Sequence, residues 1–232
     1  MEEEKLDNPT WYALTETHAD FAIDYDGAKF YNTIYCPFGG FTNPDIVETA
    51  IAQYALLIEN FFVVGQKPVY TAKVQLQNEL VCNQMLVARP IEIEITNQIV
   101  VLQTAKQKED LLALVNLVQP GYFKSKTADL GNYYGIYQND VLVAVTGERM
   151  KMHSFTEVSA VVTHPNYTGK GYAKQLVAQV SNNIFKENKL PFLHVADTNI
   201  GAIKLYEKLG FETRRKISFW NFTVNGASKK LS

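Results

Sequence analysis

The sequence is poor in the residues that build metal sites and disulfides. It has two cysteines, Cys36 and Cys82, without a metal-binding or redox spacing, and its four histidines are scattered along the chain. We therefore expect no metal site. The low cysteine count is typical of a protein from a reducing compartment, and a cytoplasmic location is the corresponding expectation.

The sequence also lacks an excess of either charge and a long apolar run. The sequence contains 22 Lys and Arg residues and 24 Asp and Glu residues, so the net charge is -2. Neither nucleic acid nor an acidic membrane surface is therefore expected as a partner. The most apolar window, residues 50–64, is interrupted by Gln53, Glu59 and Asn60 and cannot form a membrane span. The acidic first residues lead into no apolar segment, so we expect neither a secretory signal nor a transit peptide.

A strand, a glycine-rich turn and a helix follow one another in the second half of the chain. Residues 156–163 are mostly small or β-branched, Pro165 ends this strand, and Gly169 and Gly171 flank Lys170. The next segment carries apolar residues at the spacing of one helical face, namely Ala173, Leu176, Val177, Val180, Ile184 and Phe185. A further strand, residues 191–196, completes a βαβ unit, whose two strands should be parallel.

The glycine-rich turn is a candidate anion site. A turn of this kind that opens a helix leaves backbone N–H groups unpaired beside the positive end of the helix dipole. Such a site suits a pyrophosphate, and an ordinary turn between a strand and a helix is the alternative interpretation.

The composition along the chain predicts two domains. Residues 1–95 indicate an α+β lobe that is rich in aromatic residues and shows no catalytic constellation, and residues 98–232 form the second domain. A helix near residues 106–118 and a tight hairpin around Asn139-Asp140 precede the βαβ unit. The fold class is α/β, with a mixed sheet of α+β type.

The second domain contains His164-Pro165, the turn from Asn166 to Gly171, and a later run with Phe192-Leu-His-Val195, Asn199, Ala202, Leu205-Tyr206 and Leu209-Gly-Phe211. With these motifs, residues 98–225 resemble the GNAT superfamily of acetyl-CoA-dependent N-acetyltransferases. The leading lobe is similar to that of a two-lobed subgroup resembling glycine N-acyltransferase, in which a degenerate lobe precedes the catalytic one.

The resemblance implies an acetyl-CoA cosubstrate, no metal, and two parallel strands that splay apart to hold the pantetheine. The residues that it assigns to the cofactor are Val161, Val162, Thr163, Thr168, Gly169, Lys170, Gly171, Tyr172, Ala173, Asn199 and Ala202. Two positions depart from the family pattern, because Gln or Arg is usual where this chain has Asn166 and Arg is common where it has Thr168. These departures weaken the expected affinity more than the site, since backbone N–H groups make most of the pyrophosphate contacts.

The resemblance also implies a catalytic acid, Tyr206, which would protonate the departing thiolate; a buried helix tyrosine is the alternative. Glu157 and His194 are the candidate bases, with Glu148 third, against the alternatives of a solvated edge carboxylate and a core histidine. Strand alternation predicts that Glu157 shares a face with Ser159, Val161 and Thr163. No Ser/His/Asp set is discernible in the sequence, which favours direct attack by an amine in a ternary complex over an acyl-enzyme.

Three functions follow from these observations. The first is an N-acetyltransferase that moves an acetyl or other acyl group to a primary amine, and the aromatic first lobe favours a small-molecule or amino-acid acceptor. The second is a non-catalytic acyl-CoA sensor or scaffold. The third, a nucleotide-binding oxidoreductase, is disfavoured because Lys174 stands where Gly-x-Gly-x-x-Gly needs its third glycine.

Overall fold

The computed structural model describes residues 2–225, which divide between two compact units. One unit contains residues 2–82 together with residues 216–225, and the other is Asn83–Arg215. The predicted border at residues 95–98 differs from this division. The segment before it packs with the second unit, where Met85, Val87 and Ile91 are core residues, and the Asn182 side chain binds both the N–H and the carbonyl of Ile91.

Eleven strands and five α-helices make up the described chain. The first seven elements are α1 (Pro9–Thr15), β1 (Ala22–Asp24), β2 (Ala28–Tyr31), β3 (Phe38–Phe41), α2 (Pro44–Tyr54), β4 (Asn60–Val64) and β5 (Val74–Leu86). The remaining elements are β6 (Val100–Val101), α3 (Ala105–Val118), β7 (Tyr133–Gln138), β8 (Val141–Lys151), β9 (Phe155–Thr163), α4 (Tyr172–Lys186), β10 (Leu190–Ala196), α5 (Ile200–Lys208) and β11 (Glu212–Val224).

The first unit has the predicted α+β composition and an aromatic core. Its strands β1, β2, β3, β4 and β11 lie in that order, antiparallel except for the parallel pair β3 and β4. Helix α2 begins after Asn43, whose side chain accepts a hydrogen bond from the Asp45 N–H. Its Tyr54 stacks on Phe30 with 4.3 Å between ring centroids. Packed aromatic rings of this kind contribute stabilisation beyond the area that they bury.

The second unit is a mixed sheet with helices on both faces, which confirms the predicted fold class. Strands β10, β9, β8, β7 and β6 lie in that order, and β9 and β10 are parallel, as the βαβ pattern predicts. Helix α4 packs on one face through the predicted stripe, with Leu176, Val177, Val180 and Ile184 fully buried. Helix α3 packs against the other face with Leu111, Leu114 and Val115.

The predicted hairpin joins β7 and β8 through a two-residue turn. Asn139 and Asp140 both have positive φ angles, of 50° and 64°, which is the backbone that a type I′ turn requires and that Asn and Asp tolerate well. Among residues 2–225, no helix is long and apolar enough to cross a membrane.

Candidate active site

The two parallel strands β9 and β10 pair over only part of their length. The ladder joins Phe155–Glu157 to Leu190–Phe192, and the Glu157–Phe192 pair is its last step. Both strands continue beyond this step, β9 to Thr163 and β10 to Ala196. We call the region beyond the ladder, residues 158–163 and 193–196, the splay. Backbone polar groups that leave a ladder in this way become available to a ligand.

A bulge lies inside the splay and changes which face each side chain occupies. Ala160 has a φ of 50°, and the pairing with β8 slips by one residue between Ser159 and Val162. Val158 packs in the core under α4, whereas Val162 packs in the core against α3. The bulge therefore reverses the alternation along the strand.

This reversal corrects the prediction that Val161 and Thr163 share a face with Glu157. Val161 packs toward the α4 core together with Val158, so it lies on the face opposite Glu157. The extra residue at the bulge moves Thr163 to the same side as Val161. Ser159, which precedes the bulge, keeps the predicted face.

The glycine turn, residues 168–171, joins the splay to helix α4. Gly169 and Gly171 have φ angles of 77° and 76°, and Gly171 is the N-cap residue of the helix. A Cβ added at either glycine would meet no atom within 4 Å. The main chain at Gly169 and Gly171 is therefore accessible, and the first N–H groups of α4 point away from the body of the helix.

Side chains around the glycine turn hold its conformation. His164 Nδ1 accepts a hydrogen bond from the Asn166 N–H at 3.2 Å, and the Thr168 hydroxyl donates to the Pro165 carbonyl at 3.3 Å. The Lys170 ammonium lies 5.0 Å from the centre of the Tyr167 ring. Tyr172 is buried and Ala173 half-buried, so both offer main-chain groups rather than polar side chains to a ligand.

Helix α5 supplies the remaining residues that the sequence assigns to the site. The Asn199 side chain accepts a hydrogen bond from the Ala202 N–H at 3.1 Å, which confirms the predicted helix cap. Tyr206 is buried in the α4 core and contacts the Phe211 ring. Burial raises the pKa of the Tyr206 phenol well above its ordinary value. The group therefore stays protonated throughout the neutral range.

Glu157 and His194 lie together at the start of the splay. His194 Nδ1 and Glu157 Oε1 are 2.8 Å apart, and the two side chains are only 3% and 1% exposed. Arg149 binds the same carboxylate through two hydrogen bonds, at 2.8 Å from Nε and 2.7 Å from a terminal nitrogen. Burial alone would raise the pKa of Glu157, but the Arg149 charge, with the hydrogen bonds from Arg149 and His194, holds it well below the ordinary range.

The third candidate base, Glu148, is not part of this cluster. It pairs directly with Val158, so its side chain lies on the α4 face and Glu157 lies on the other. Its carboxylate accepts hydrogen bonds from Lys151 Nζ at 2.7 Å and from the Asn132 N–H at 3.1 Å. The geometry separates Glu148 from the other two candidates.

Two further polar side chains extend the cluster, and no sequence pattern indicates either. Gln84 Nε2 lies 3.1 Å from His194 Nε2, and Arg214 donates a hydrogen bond to Gln84 Oε1 at 3.1 Å. Gln84 is 110 residues from His194 in the chain, so no local motif relates them. Arg149 could have been found, because it follows Glu148 on β8 and strand alternation turns it to the opposite face.

No group of three or more His, Cys, Asp or Glu residues that could hold a metal ion occurs within residues 2–225. Hydrogen bonds and charges connect Arg149, Glu157, His194, Gln84 and Arg214 in this cluster.

The fold is that of known acetyltransferases. The model of the FR47-like protein family matches residues 133–220. A solved structure from Novosphingobium aromaticivorans, assigned to the GNAT family of acetyltransferases, has a TM-score of 0.86 and 27% identity and covers 94% of this chain and 98% of its own. No curated protein matches the sequence.

Two more distant structures share the fold alone. A GCN5-related N-acetyltransferase-like protein from Streptococcus suis has a TM-score of 0.60 and 17% identity over 94% of this chain and 96% of its own. A GCN5-related N-acetyltransferase from Kribbella flavida has a TM-score of 0.58 and 15% identity over 88% and 89%. The chain therefore has the GNAT-family N-acetyltransferase fold, and the glycine N-acyltransferase-like subgroup stays a prediction.

We expect Arg149→Met to destabilise the protein by about 3–5 kcal/mol at pH 7, because it leaves a buried carboxylate without its cation. The double variant Arg149→Met with Glu157→Met should recover much of this loss.

The same pair predicts how stability depends on pH. Because the folded-state pKa of Glu157 is lowered, the contribution of Glu157 to the free energy of unfolding is present above the unfolded pKa of about 4.3 and is lost as the pH falls below it. Urea unfolding should therefore show the largest difference between wild type and Arg149→Met at neutral pH. A double variant less stable than the single one would contradict this view of the pair.

Proposed function

We propose that the protein is an acyltransferase that moves an acetyl or other acyl group from acyl-CoA to a primary amine by direct attack in a ternary complex. One observation carries this proposal: the parallel ladder of β9 and β10 stops at the Glu157–Phe192 pair, and β9 runs on through a bulge into a bare glycine turn at the start of a long helix. The GNAT-type fold and the matching family model support it.

The residues of the glycine turn fit the pyrophosphate of coenzyme A. Positive φ angles at Gly169 and Gly171 expose the main chain, and the open space beside both glycines allows an anion to approach closely. The N–H groups of Tyr172 and Ala173 belong to the first turn of α4, where the helix dipole favours negative charge. Backbone groups would thus bind the phosphates, while Thr168 and Lys170 would line the turn. When bound, acyl-CoA supplies the acyl group as a reactive thioester.

In the proposed reaction, the amine nitrogen attacks the thioester carbonyl carbon. The new C–N bond forms, the C–S bond breaks, the neutral amine loses one proton, and the departing thiolate gains one. We assign the main-chain groups of Val161, Val162 and Thr163 to the pantetheine and to the carbonyl oxygen, since the bulge at Ala160 re-aims this part of the strand.

Tyr206 is the proposed acid. Because burial raises its pKa, its phenol keeps the proton at neutral pH and can deliver it to the departing thiolate. Asn199 and Ala202 begin the helix that carries this side chain, and the hydrogen bond between them fixes where α5 starts.

His194 is the proposed proton acceptor, and Glu157 assists it. Glu157 is a poor base, because Arg149 occupies both of its oxygens and its pKa is low. Its carboxylate instead stabilises the positive charge that His194 would acquire. A base is needed, since an amine of pKa about 10.4 is unprotonated only about once in several thousand molecules at pH 7.

A panel of amines tests the proposal. We expect thiol release from acetyl-CoA in the presence of small primary amines or amino acids, measured with a thiol-specific dye. Calorimetric binding of acetyl-CoA with no thiol release across the whole panel would overturn the proposal in favour of a non-catalytic acyl-CoA-binding module.

Tyr206→Phe separates catalysis from binding. The variant keeps the ring packing and removes the acidic proton, so kcat should fall by about 10²-fold or more while the dissociation constant for CoA stays the same. Turnover should be measured by thiol release and affinity by calorimetry. Turnover at the wild-type rate would remove Tyr206 from the mechanism.

Gly171→Ala tests the glycine turn. The new methyl group would stand where the phosphates approach, so CoA affinity should fall about tenfold or more, which corresponds to roughly 1.4 kcal/mol. Gly121→Ala is a matched control, because Gly121 also has a positive φ and open space beside it but lies in the loop after α3. Both variants carry similar backbone strain, of about 1 kcal/mol. Equal loss of CoA affinity in the two would show that strain, and not the site, explains the effect.

A further inference from the structure

His194 lies between a hydrogen-bond acceptor and a hydrogen-bond donor, and these two groups determine which ring nitrogen carries a proton. On one side, the Glu157 carboxylate can only accept a hydrogen bond, so the Nδ1 atom, at 2.8 Å, must carry a proton. On the other side, Gln84 presents its side-chain nitrogen to Nε2 at 3.1 Å. An amide nitrogen only donates, so Nε2 must be the acceptor. The two contacts together describe a neutral ring with its proton on Nδ1.

The orientation of the Gln84 amide follows from its other neighbour. A guanidinium only donates hydrogen bonds, and Arg214 lies 3.1 Å from the Gln84 oxygen. If the amide turned over, its NH₂ group would face the guanidinium and its oxygen would face His194. Arg214 therefore holds the amide in the orientation that opposes a proton on Nε2.

The Glu157 carboxylate, taken alone, would favour the doubly protonated ring. Glu157 is a buried carboxylate in direct contact with the imidazole, an arrangement that stabilises an imidazolium. Arg149, on β8, compensates part of this charge, and Arg214, on β11, acts from the opposite side through Gln84. A histidine that is already protonated cannot accept the proton of an amine.

We propose that Gln84, oriented by Arg214, is a positioning residue that keeps His194 neutral with its proton on Nδ1 until the amine proton is transferred. The proposal rests on the acyl transfer described above, in which His194 is the proton acceptor. Proton uptake at Nε2 breaks the contact with the Gln84 amide, so this contact defines the resting state of the site.

The ring nitrogens of His194 report this state directly, without turnover. ¹⁵N chemical shifts distinguish the two neutral tautomers and the imidazolium, and the signals that disappear in His194→Asn identify the residue among the four histidines. At pH 7 we expect a neutral ring protonated on Nδ1 in the wild-type protein. A doubly protonated ring, or a neutral ring protonated on Nε2, would overturn the proposal.

Gln84→Glu replaces the hydrogen-bond donor beside His194 Nε2 with an acceptor. Its carboxylate can accept from both Arg214 and His194, so we expect an imidazolium at pH 7 and a fall in kcat/KM of about 10²-fold that is partly recovered at higher pH. Gln75→Glu is the matched control, since it places the same charge change on an exposed position of the same strand. A neutral His194 ring in Gln84→Glu would contradict the proposal.

Arg214 provides a second and independent test, which also serves if Gln84→Glu does not fold. In Arg214→Met the amide is free to turn its oxygen toward His194, so the protonated fraction of the ring should rise although Arg214 is not its hydrogen-bond partner. Arg214→Lys, which can still donate to the Gln84 oxygen, should restore the neutral ring, and Arg215→Met, at an exposed neighbouring position, should leave it unchanged. An unchanged ring in Arg214→Met would overturn the proposal. Expected ring shifts without thiol release from any amine would instead contradict acyl transfer.

Discussion

The buried ion pair between Arg149 and Glu157 is the interaction on which the rest of the site depends. Glu157 is the last residue of β9 in the parallel ladder, and Arg149 reaches it from β8 with two hydrogen bonds. A carboxylate that is 1% exposed is tolerated only with such compensation. The pair connects β8 to β9 at the step where β10 leaves the ladder, which is where the splay begins.

In the proposed reaction, main-chain groups bind the cofactor and side chains transfer the protons. The glycine turn and the splay offer backbone groups, which are insensitive to the identity of Asn166 and Thr168, the two positions that depart from the family pattern. In the proposed reaction, proton transfer would depend on the side chains of Tyr206 and His194. If backbone groups bind the phosphates as proposed, Asn166 and Thr168 can differ from the family pattern without loss of that site.

The sequence predicted the parts of this arrangement that depend on local patterns. The spacing of apolar residues and the residue types at turns predicted β9, α4, β10 and the Asn199 cap, because each of these is determined by neighbouring residues. The bulge at Ala160 was not predictable, since nothing in the residue type demands a positive φ there, and it made the expected faces of Val161 and Thr163 wrong. Gln84 contacts His194, and Arg214 contacts Gln84, only through tertiary structure, for which single-sequence patterns carry no signal. The domain border differed for the same reason, because the contacts of Ile91 with Asn182 are long-range.

The position of β11 has a consequence for the order of folding. Its residues Phe219–Thr223 pair with Val64–Asn60 of β4, so the first unit takes one strand from the far end of the chain. During synthesis the ribosome completes every residue of the second unit before that strand emerges. The first unit can close its sheet only afterwards, and until then the β4 edge is an unpaired strand that can pair with other chains. The unit whose residues come first in the sequence is thus the last that can be completed.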